Sequence, residues 1–155
     1  MNTIPSVTVP IFKEGHIINM NLFDALKNKK IVIFGVPGAF TPTCSEKHLP
    51  GFIKLSEAIK AKGIDDIYCL SVNDSFVMKS WLLSYTDGNK IKGIADGNGE
   101  VSKLLNVIRD KSVNFMGLRC ARFAMIIDNN NIIKTYIEDS GKLEVSSAEN
   151  ILEKL

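Results

Sequence analysis

The sequence predicts an α/β protein in which helices cover both faces of a mixed β-sheet. Two continuous apolar runs rich in β-branched residues, residues 31–36 and 67–72, have the character of buried strands. A segment with helical spacing of apolar residues follows each run. Near the C-terminus, three asparagines at 129–131 separate two further apolar segments, which is a hairpin signal. Strands that alternate with helices and end in a hairpin favour a mixed sheet between two helical layers.

Strands and helices alternate regularly in the first half of the chain. Within residues 43–62, apolar residues recur at three- and four-residue steps, which predicts a helix. Pro50 and Gly51 should interrupt its first turns, and Gly63 should end it. Ser75 is a suitable cap for the helix that follows. The elements predicted here are strands at 7–12, 31–36 and 67–72 and helices at 21–27, 43–62 and 75–86.

The second half is predicted to hold shorter elements and the closing hairpin. His16, in the first half, is placed in a loop beside Gly15. The elements predicted after residue 86 are a turn at 87–89, strands at 94–95, 121–128 and 132–138, and helices at 99–105 and 147–155. This order fits a thioredoxin-like α/β/α sandwich with a mixed central sheet. The length, and the lack of a repeat or linker, predict a single domain over residues 1–155.

The composition excludes several classes of function. Lys and Arg number 19 against 17 Asp and Glu, a formal net charge of +2, and no basic face large enough for nucleic acid is visible. No apolar stretch approaches the ~20 residues of a membrane span. The N-terminal residues do not resemble a signal peptide. We therefore expect a cytoplasmic protein, or an organellar one if a targeting segment precedes this sequence.

Three cysteines, Cys44, Cys69 and Cys120, are the main candidates for reactive groups. Their odd number and irregular spacing argue against a disulfide scaffold and favour a reducing compartment. With only two histidines, no zinc-ligand spacing is present. We expect neither a metal nor a bound cofactor.

Cys44 stands out by its position. It follows a buried strand and a turn with two prolines, and it lies in the first turn of the predicted helix. Helix N-termini carry unpaired N–H groups and partial positive charge, which favour a thiolate, the nucleophilic form of cysteine. The alternative is an inert buried thiol, because free cysteine is often buried. The position favours reactivity without identifying the reaction.

The segment from Pro37 to Cys44 resembles the P-x-x-x-T-x-x-C active-site motif of peroxiredoxins. Residues 34–36, Ser45 and residues 48–52 around it are similar to the peroxiredoxin 5 (type II) subfamily, and residues 71–74 and the pair 122–123 also match. The resemblance covers nearly the whole chain. It implies a thiol peroxidase that reduces hydrogen peroxide and alkyl hydroperoxides, and it implies a homodimer.

The resemblance also implies a role for four side chains. Cys44 would be the nucleophile that becomes a sulfenic acid. Thr41 would orient the peroxide through its hydroxyl, and Pro37 would shield the thiolate from water. Arg122 would stabilise the thiolate and donate hydrogen bonds to the reacting oxygens, together with the Cys44 N–H. Without the resemblance, Thr41 would be a capping or turn residue, Arg122 a surface residue and Pro37 a strand terminator.

Recycling of the sulfenic acid is expected to need an external thiol. Val145 or Ser146 holds the place where this subfamily often carries a resolving cysteine, so the chain resembles a one-cysteine enzyme. Glutathione with glutaredoxin is the favoured reductant, and thioredoxin is the alternative. Cys69 is interpreted as a core residue. Cys120 could resolve Cys44, carry a regulatory modification or be non-essential, and the last is favoured.

Two alternatives to a peroxidase remain open. A thioredoxin-like disulfide oxidoreductase would need C-x-x-C, but Ser45, Glu46 and Lys47 follow Cys44. A peroxide sensor that passes oxidation to a partner would share the first chemical step. His48, one helical turn after Cys44, could touch the site or serve packing and hydrogen bonding, and the second reading is favoured.

Overall fold

Within residues 2–155, which are those described, the computed structural model contains nine β-strands and five α-helices. The strands are β1 Thr8–Lys13, β2 His16–Asn21, β3 Lys30–Val36, β4 Asp66–Ser71, β5 Lys92–Ala95, β6 Ile108–Asp110, β7 Leu118–Cys120, β8 Phe123–Asp128 and β9 Asn131–Ile137. The helices are α1 Leu22–Leu26, α2 Leu49–Ala61, α3 Ser75–Leu83, α4 Glu100–Leu104 and α5 Ala148–Lys154. A π-helical turn, Cys44–His48, leads directly into α2.

Seven of these strands form one mixed sheet in the order β2-β1-β5-β4-β3-β8-β9. The central strands β3, β4 and β5 are parallel, whereas β8 pairs antiparallel with β3. Strands β6 and β7 form a separate two-stranded ribbon. The mixed sheet predicted from the sequence is therefore present, with β3 near its centre.

Two apolar cores lie on opposite faces of the sheet. Because successive side chains of a strand point to opposite faces, Val32 and Phe34 of β3 belong to one core and Ile31 and Ile33 to the other. The first core is covered by α2, α3 and α5, and the second by α1 and α4. The predicted α/β/α arrangement is confirmed.

A glycine on β3 allows the start of β8 to lie beside the end of β3. Gly35 pairs with Phe123 across the antiparallel ladder. A Cβ atom at Gly35 would lie 2.0 Å from Cε1 of the Phe123 ring, which is too close for any side chain. The buried ring of Phe123 thus passes over the glycine, and the residue before it, Arg122, is brought to the loop that follows β3.

Several boundaries differ from the sequence prediction. His16 lies not in a loop but in β2, opposite Lys13, and residues 14 and 15 form the turn with φ angles of 51° and 80°. A glutamate at positive φ is uncommon, so the turn has a weak sequence signal. The cap of α3 is Asp74, whose carboxylate accepts from the Val77 N–H at 2.9 Å, rather than Ser75.

The ribbon of β6 and β7 was not predicted, because each strand has only three residues and no clear apolar alternation. The hairpin between β8 and β9 is confirmed, since Asn129 and Asn130 form its turn with φ angles of 47° and 65°. No helix of residues 2–155 combines the length and apolar character required to cross a membrane.

Candidate active site

Cys44 is completely buried at the start of the helical segment that follows β3. It opens the π-helical turn, in which the Leu49 N–H donates to the Cys44 carbonyl five residues earlier. Pro50 comes next and has no N–H to donate, so regular α-helical bonding cannot run through this point. The interruption expected at Pro50 is therefore a widened turn, of a kind frequent at functional sites.

Arg122 lies against the sulfur of Cys44. Its Nη2 atom is 3.1 Å from Sγ, although the two residues are 78 positions apart in the chain. The sequence placed Arg122 on a strand, but β8 begins at Phe123 and Arg122 precedes it in the connection from β7. The pairing of β3 with β8 brings the guanidinium and the thiol together.

The other terminal nitrogen of the guanidinium, Nη1, contacts His48. Nη1 of Arg122 is 3.0 Å from Nδ1 of His48, and Nε2 of the same ring is 2.9 Å from the Ser146 carbonyl. Burial, and further the charge of Arg122, lowers the pKa of His48 to about 3, although the Ser146 bond opposes the shift. The imidazole is therefore neutral, with its proton on Nε2 directed to Ser146 and its Nδ1 lone pair directed to Arg122.

Ser146 is in turn held by Glu138. One carboxylate oxygen of Glu138 accepts from the Ser146 N–H at 2.8 Å, the Ser146 hydroxyl at 2.7 Å and the Glu144 N–H at 2.6 Å. Burial raises the pKa of Glu138, but these hydrogen bonds outweigh it and the pKa lies below its ordinary value. A hydrogen-bonded chain thus runs from the Cys44 sulfur through Arg122, His48 and Ser146 to Glu138.

Sequence reasoning missed Glu138 and the role of Ser146. Both residues come from the segment after β9, remote from Cys44 in the chain, and no motif joins them to it. Ser146 is fully buried at the place where a resolving cysteine was considered, whereas Val145 is 39% exposed. His48 is a hydrogen-bonding residue, as the favoured interpretation has it, but it also belongs to the site, because its partner is the guanidinium next to the thiol.

The loop before Cys44 is fixed by its own hydrogen bonds. The Thr41 hydroxyl donates to the Gly38 carbonyl at 2.6 Å. The Ala39 N–H donates to Oδ1 of Asn73 at 3.0 Å, which ties the loop to the end of β4. The Pro37 carbonyl accepts from Arg119 at 3.3 Å. These contacts hold both Pro37 and Thr41 within the same short turn that leads to Cys44.

The backbone of this loop is also strained at one residue. Phe40 has a φ angle of 64° and an exposed fraction of 57%. Bulky residues rarely adopt this conformation, and such strain is concentrated at functional sites. The strain lies one residue before Thr41.

The other two cysteines are buried in the sheet region. Cys69 lies on β4 and Cys120 on β7, and all three cysteines are free thiols. Burial raises the pKa of both Cys69 and Cys120 well above the ordinary value. The Cys120 thiol donates to the Val36 carbonyl at 3.1 Å. Burial outweighs the attraction of Arg122 for a Cys120 thiolate, which agrees with the favoured interpretation of Cys120 as non-essential.

A cavity of about 380 Å³ opens beside Arg122. Pro37 and Thr43, from the loop before Cys44, line it together with Arg109 and Asp110 of β6 and residues 138–142 after β9. Within residues 2–155, no group of three or more His, Cys, Asp and Glu side chains could hold a metal ion. The chemistry available here is that of a buried thiol under a guanidinium, next to a polar cavity.

Comparisons with known proteins agree with this arrangement. Residues 2–152 match the Redoxin family. The chain is 43% identical to peroxiredoxin-2D of Arabidopsis thaliana, over 99% of this chain and 96% of that protein. It superposes with a TM-score of 0.92 on reduced Prx3 of Vibrio vulnificus, solved in complex with hydrogen peroxide, at 42% identity and with 98% and 95% of the two chains covered.

A third similar protein is the antioxidant protein of Plasmodium falciparum, described as a 1-Cys peroxiredoxin. It has a TM-score of 0.90 and 36% identity, and the match covers 99% of this chain and 96% of that one. The sequence, the fold and the contact between the buried thiol and the guanidinium all indicate the same family. The chain belongs to the peroxiredoxin family of thiol-dependent peroxidases.

Proposed function

We propose that Cys44 is the nucleophile of the peroxidase reaction. Its thiolate attacks one oxygen of the peroxide in line with the O–O bond. A sulfur–oxygen bond forms, the O–O bond breaks, and the departing oxygen takes a proton to leave as water or an alcohol. The observation that carries this proposal is the 3.1 Å contact between Nη2 of Arg122 and the buried Cys44 sulfur.

Arg122 supplies the electrostatic part of the mechanism. A guanidinium stays charged at neutral pH and presents several donors in a fixed fork, so it can stabilise both the thiolate and the negative charge on the departing oxygen. Its second nitrogen is held by His48, which keeps the first directed at the sulfur. Little reorganisation is then needed when the peroxide reacts.

Thr41 and Pro37 prepare the site for the peroxide. The Thr41 hydroxyl donates to Gly38, so its oxygen lone pairs are free to accept a proton of the bound peroxide. Pro37 lines the cavity beside Arg122, and its proposed role is to shield the Cys44 thiolate from water. Hydrogen peroxide and small alkyl hydroperoxides are the proposed substrates, in keeping with the peroxide complex of the similar Vibrio protein.

Recycling by an external thiol is the second part of the proposal. Positions 145 and 146 carry no cysteine, and both Cys69 and Cys120 are buried in their own strands. Glutathione with glutaredoxin is the proposed reductant, in a reducing compartment such as the cytoplasm or an organelle. The likeness to a protein described as a 1-Cys peroxiredoxin supports this choice, and we propose a homodimer as the assembly.

The test is peroxide consumption with glutathione and glutaredoxin, run beside thioredoxin with its reductase. Cys44→Ser should abolish turnover with both reductants, and turnover of that variant at the wild-type rate would overturn the mechanism. Faster turnover with thioredoxin would overturn the choice of reductant. Fast oxidation of Cys44 followed by a negligible cycle with either system would instead favour a peroxide sensor.

A further inference from the structure

Glu138 contacts the active site through two different groups. Its backbone N–H, just after the end of β9, donates to the Arg122 carbonyl at 2.9 Å. Its carboxylate accepts from the N–H and the hydroxyl of Ser146, whose carbonyl accepts from the His48 ring at 2.9 Å. The other nitrogen of that ring contacts the Arg122 guanidinium. These contacts close a ring that starts at the backbone of Arg122 and returns at the end of its side chain.

The ring holds Arg122 at both ends. The backbone contact fixes where the residue lies before β8, and the contact with His48 fixes the direction of the guanidinium plane. An arginine side chain has much rotamer freedom to lose, so a single partner orders it poorly. Glu138 supplies the donor at one end of Arg122 and the carboxylate that stands behind the other end.

The Glu138 carboxylate also draws the end of an exposed segment into the protein. Residues 139–145 form neither strand nor helix, and most of them are exposed. Ser146 and His48 are buried, with exposed fractions of 0% and 1%. The N–H groups of residues 144 and 146 donate to one oxygen of the carboxylate, in the manner of a backbone nest around an anion. The carbonyl that His48 needs is therefore placed by Glu138.

We propose that Glu138 is a positioning residue of the peroxidase reaction. It acts through Ser146 and His48 to direct Nη2 of the arginine at the Cys44 sulfur, 3.1 Å away. The role depends on reach, because one oxygen atom of the carboxylate accepts from three donors at once. This inference rests on the proposed roles of Cys44 and Arg122, and it adds a residue that has no contact with the sulfur.

Two substitutions separate reach from charge. Glu138→Gln loses the charge but keeps an oxygen acceptor at the same distance from the backbone. Glu138→Asp keeps the charge, but its side chain is one methylene too short for the donors of residues 144 and 146. Oxidation of Cys44 by hydrogen peroxide, followed by stopped flow, should slow about fivefold in Glu138→Asp, as for one weakened hydrogen bond, and less in Glu138→Gln. Glu153→Asp, an exposed residue of α5, is the matched control and should react at the wild-type rate.

A double variant tests whether the effect passes through the imidazole. His48→Phe already breaks the link between Ser146 and Arg122, so adding Glu138→Asp should slow oxidation no further. Losses that multiply in the double variant would indicate a direct effect of the carboxylate or a general loosening of the fold. That result would overturn the inference, as would a larger loss in Glu138→Gln than in Glu138→Asp.

The His48 ring provides a readout that does not depend on activity. The chain has two histidines, and the exposed His16 on β2 serves as the internal reference. Nitrogen NMR should show the His48 proton on Nε2 in the wild type and a mixture of the two tautomers in Glu138→Asp, with His16 unchanged. An unchanged His48 signal together with a wild-type oxidation rate in Glu138→Asp would overturn the inference. The proposed function would survive that result if Arg122→Lys still slows oxidation, and a wild-type rate in Arg122→Lys would overturn both.

Discussion

Nδ1 of His48 lies 3.0 Å from Nη1 of Arg122, so a neutral imidazole offers its lone pair to the guanidinium that contacts the Cys44 sulfur. The two terminal nitrogens of one planar group are thus occupied by two partners. Because the fork is rigid, fixing one nitrogen also fixes the direction of the other. The orientation of the proposed catalytic donor is therefore set by the imidazole and by the Ser146 carbonyl behind it.

Arg122→Lys should slow the oxidation of Cys44 by peroxide by about 10²–10³-fold, the usual cost of losing a preorganised donor at a developing charge. A lysine keeps the charge but cannot reach the sulfur and His48 with a planar fork. Stopped-flow fluorescence can follow the reaction, because Trp81, the single tryptophan, donates to the Ser45 hydroxyl beside Cys44 at 3.0 Å. A wild-type oxidation rate in this variant would contradict the role of Arg122.

Two substitutions of His48 should separate hydrogen bonding from packing. His48→Phe keeps a ring next to Phe34 and Phe52, whose centroids are 5.0 Å and 5.6 Å from the imidazole, but it removes the acceptor for Arg122. We expect about a tenfold loss in the oxidation rate constant, as for one lost hydrogen bond to a charged group. His48→Asn retains an acceptor and should lose less. The pH profile of the rate constant is the second readout, and identical profiles in both variants would indicate a packing role alone.

His48 should also make stability depend on pH. Its pKa is lowered from 6.5 to about 3 in the folded protein, so below pH 6.5 the unfolded chain binds a proton that the folded chain does not. The unfolding free energy should then fall as the pH drops from 7 to 5, by about 2 kcal/mol from this group. Urea unfolding at the two pH values measures the change. The difference should shrink in His48→Asn, and an equal difference in that variant would assign it to other groups.

The remaining cysteines should prove dispensable for chemistry. Cys69→Ala and Cys120→Ala each remove a buried thiol whose pKa is raised by burial, so neither thiol is ionised at neutral pH. We expect turnover with glutathione and glutaredoxin to stay near the wild-type rate. Stability should fall by about 1–2 kcal/mol for each change, because a small cavity is left in the core. Loss of turnover in Cys120→Ala, with stability preserved, would restore a resolving role for Cys120.

Local sequence signals were enough to predict the central part of the fold. The runs at 31–36 and 67–72 are apolar and β-branched because both faces of β3 and β4 are buried, and this leaves a continuous signal. Pro37 and Pro42 mark the turn between β3 and the helix, because a proline has no N–H for the strand ladder and fixes its own φ angle. By contrast, the β6–β7 ribbon and β2 have short or half-exposed strands, whose weak alternation carries little information.

The sequence by itself determined the strand–turn–helix that carries Cys44, and its motif indicated which residues to examine. Only the tertiary structure decided how Arg122 is oriented. Its partner His48 comes from the helical turn, and the residues behind His48, Ser146 and Glu138, come from the segment after β9. The pairing of β3 with β8 brings Arg122 to them. Such contacts depend on sheet order and side-chain direction, which leave no periodic pattern along the chain.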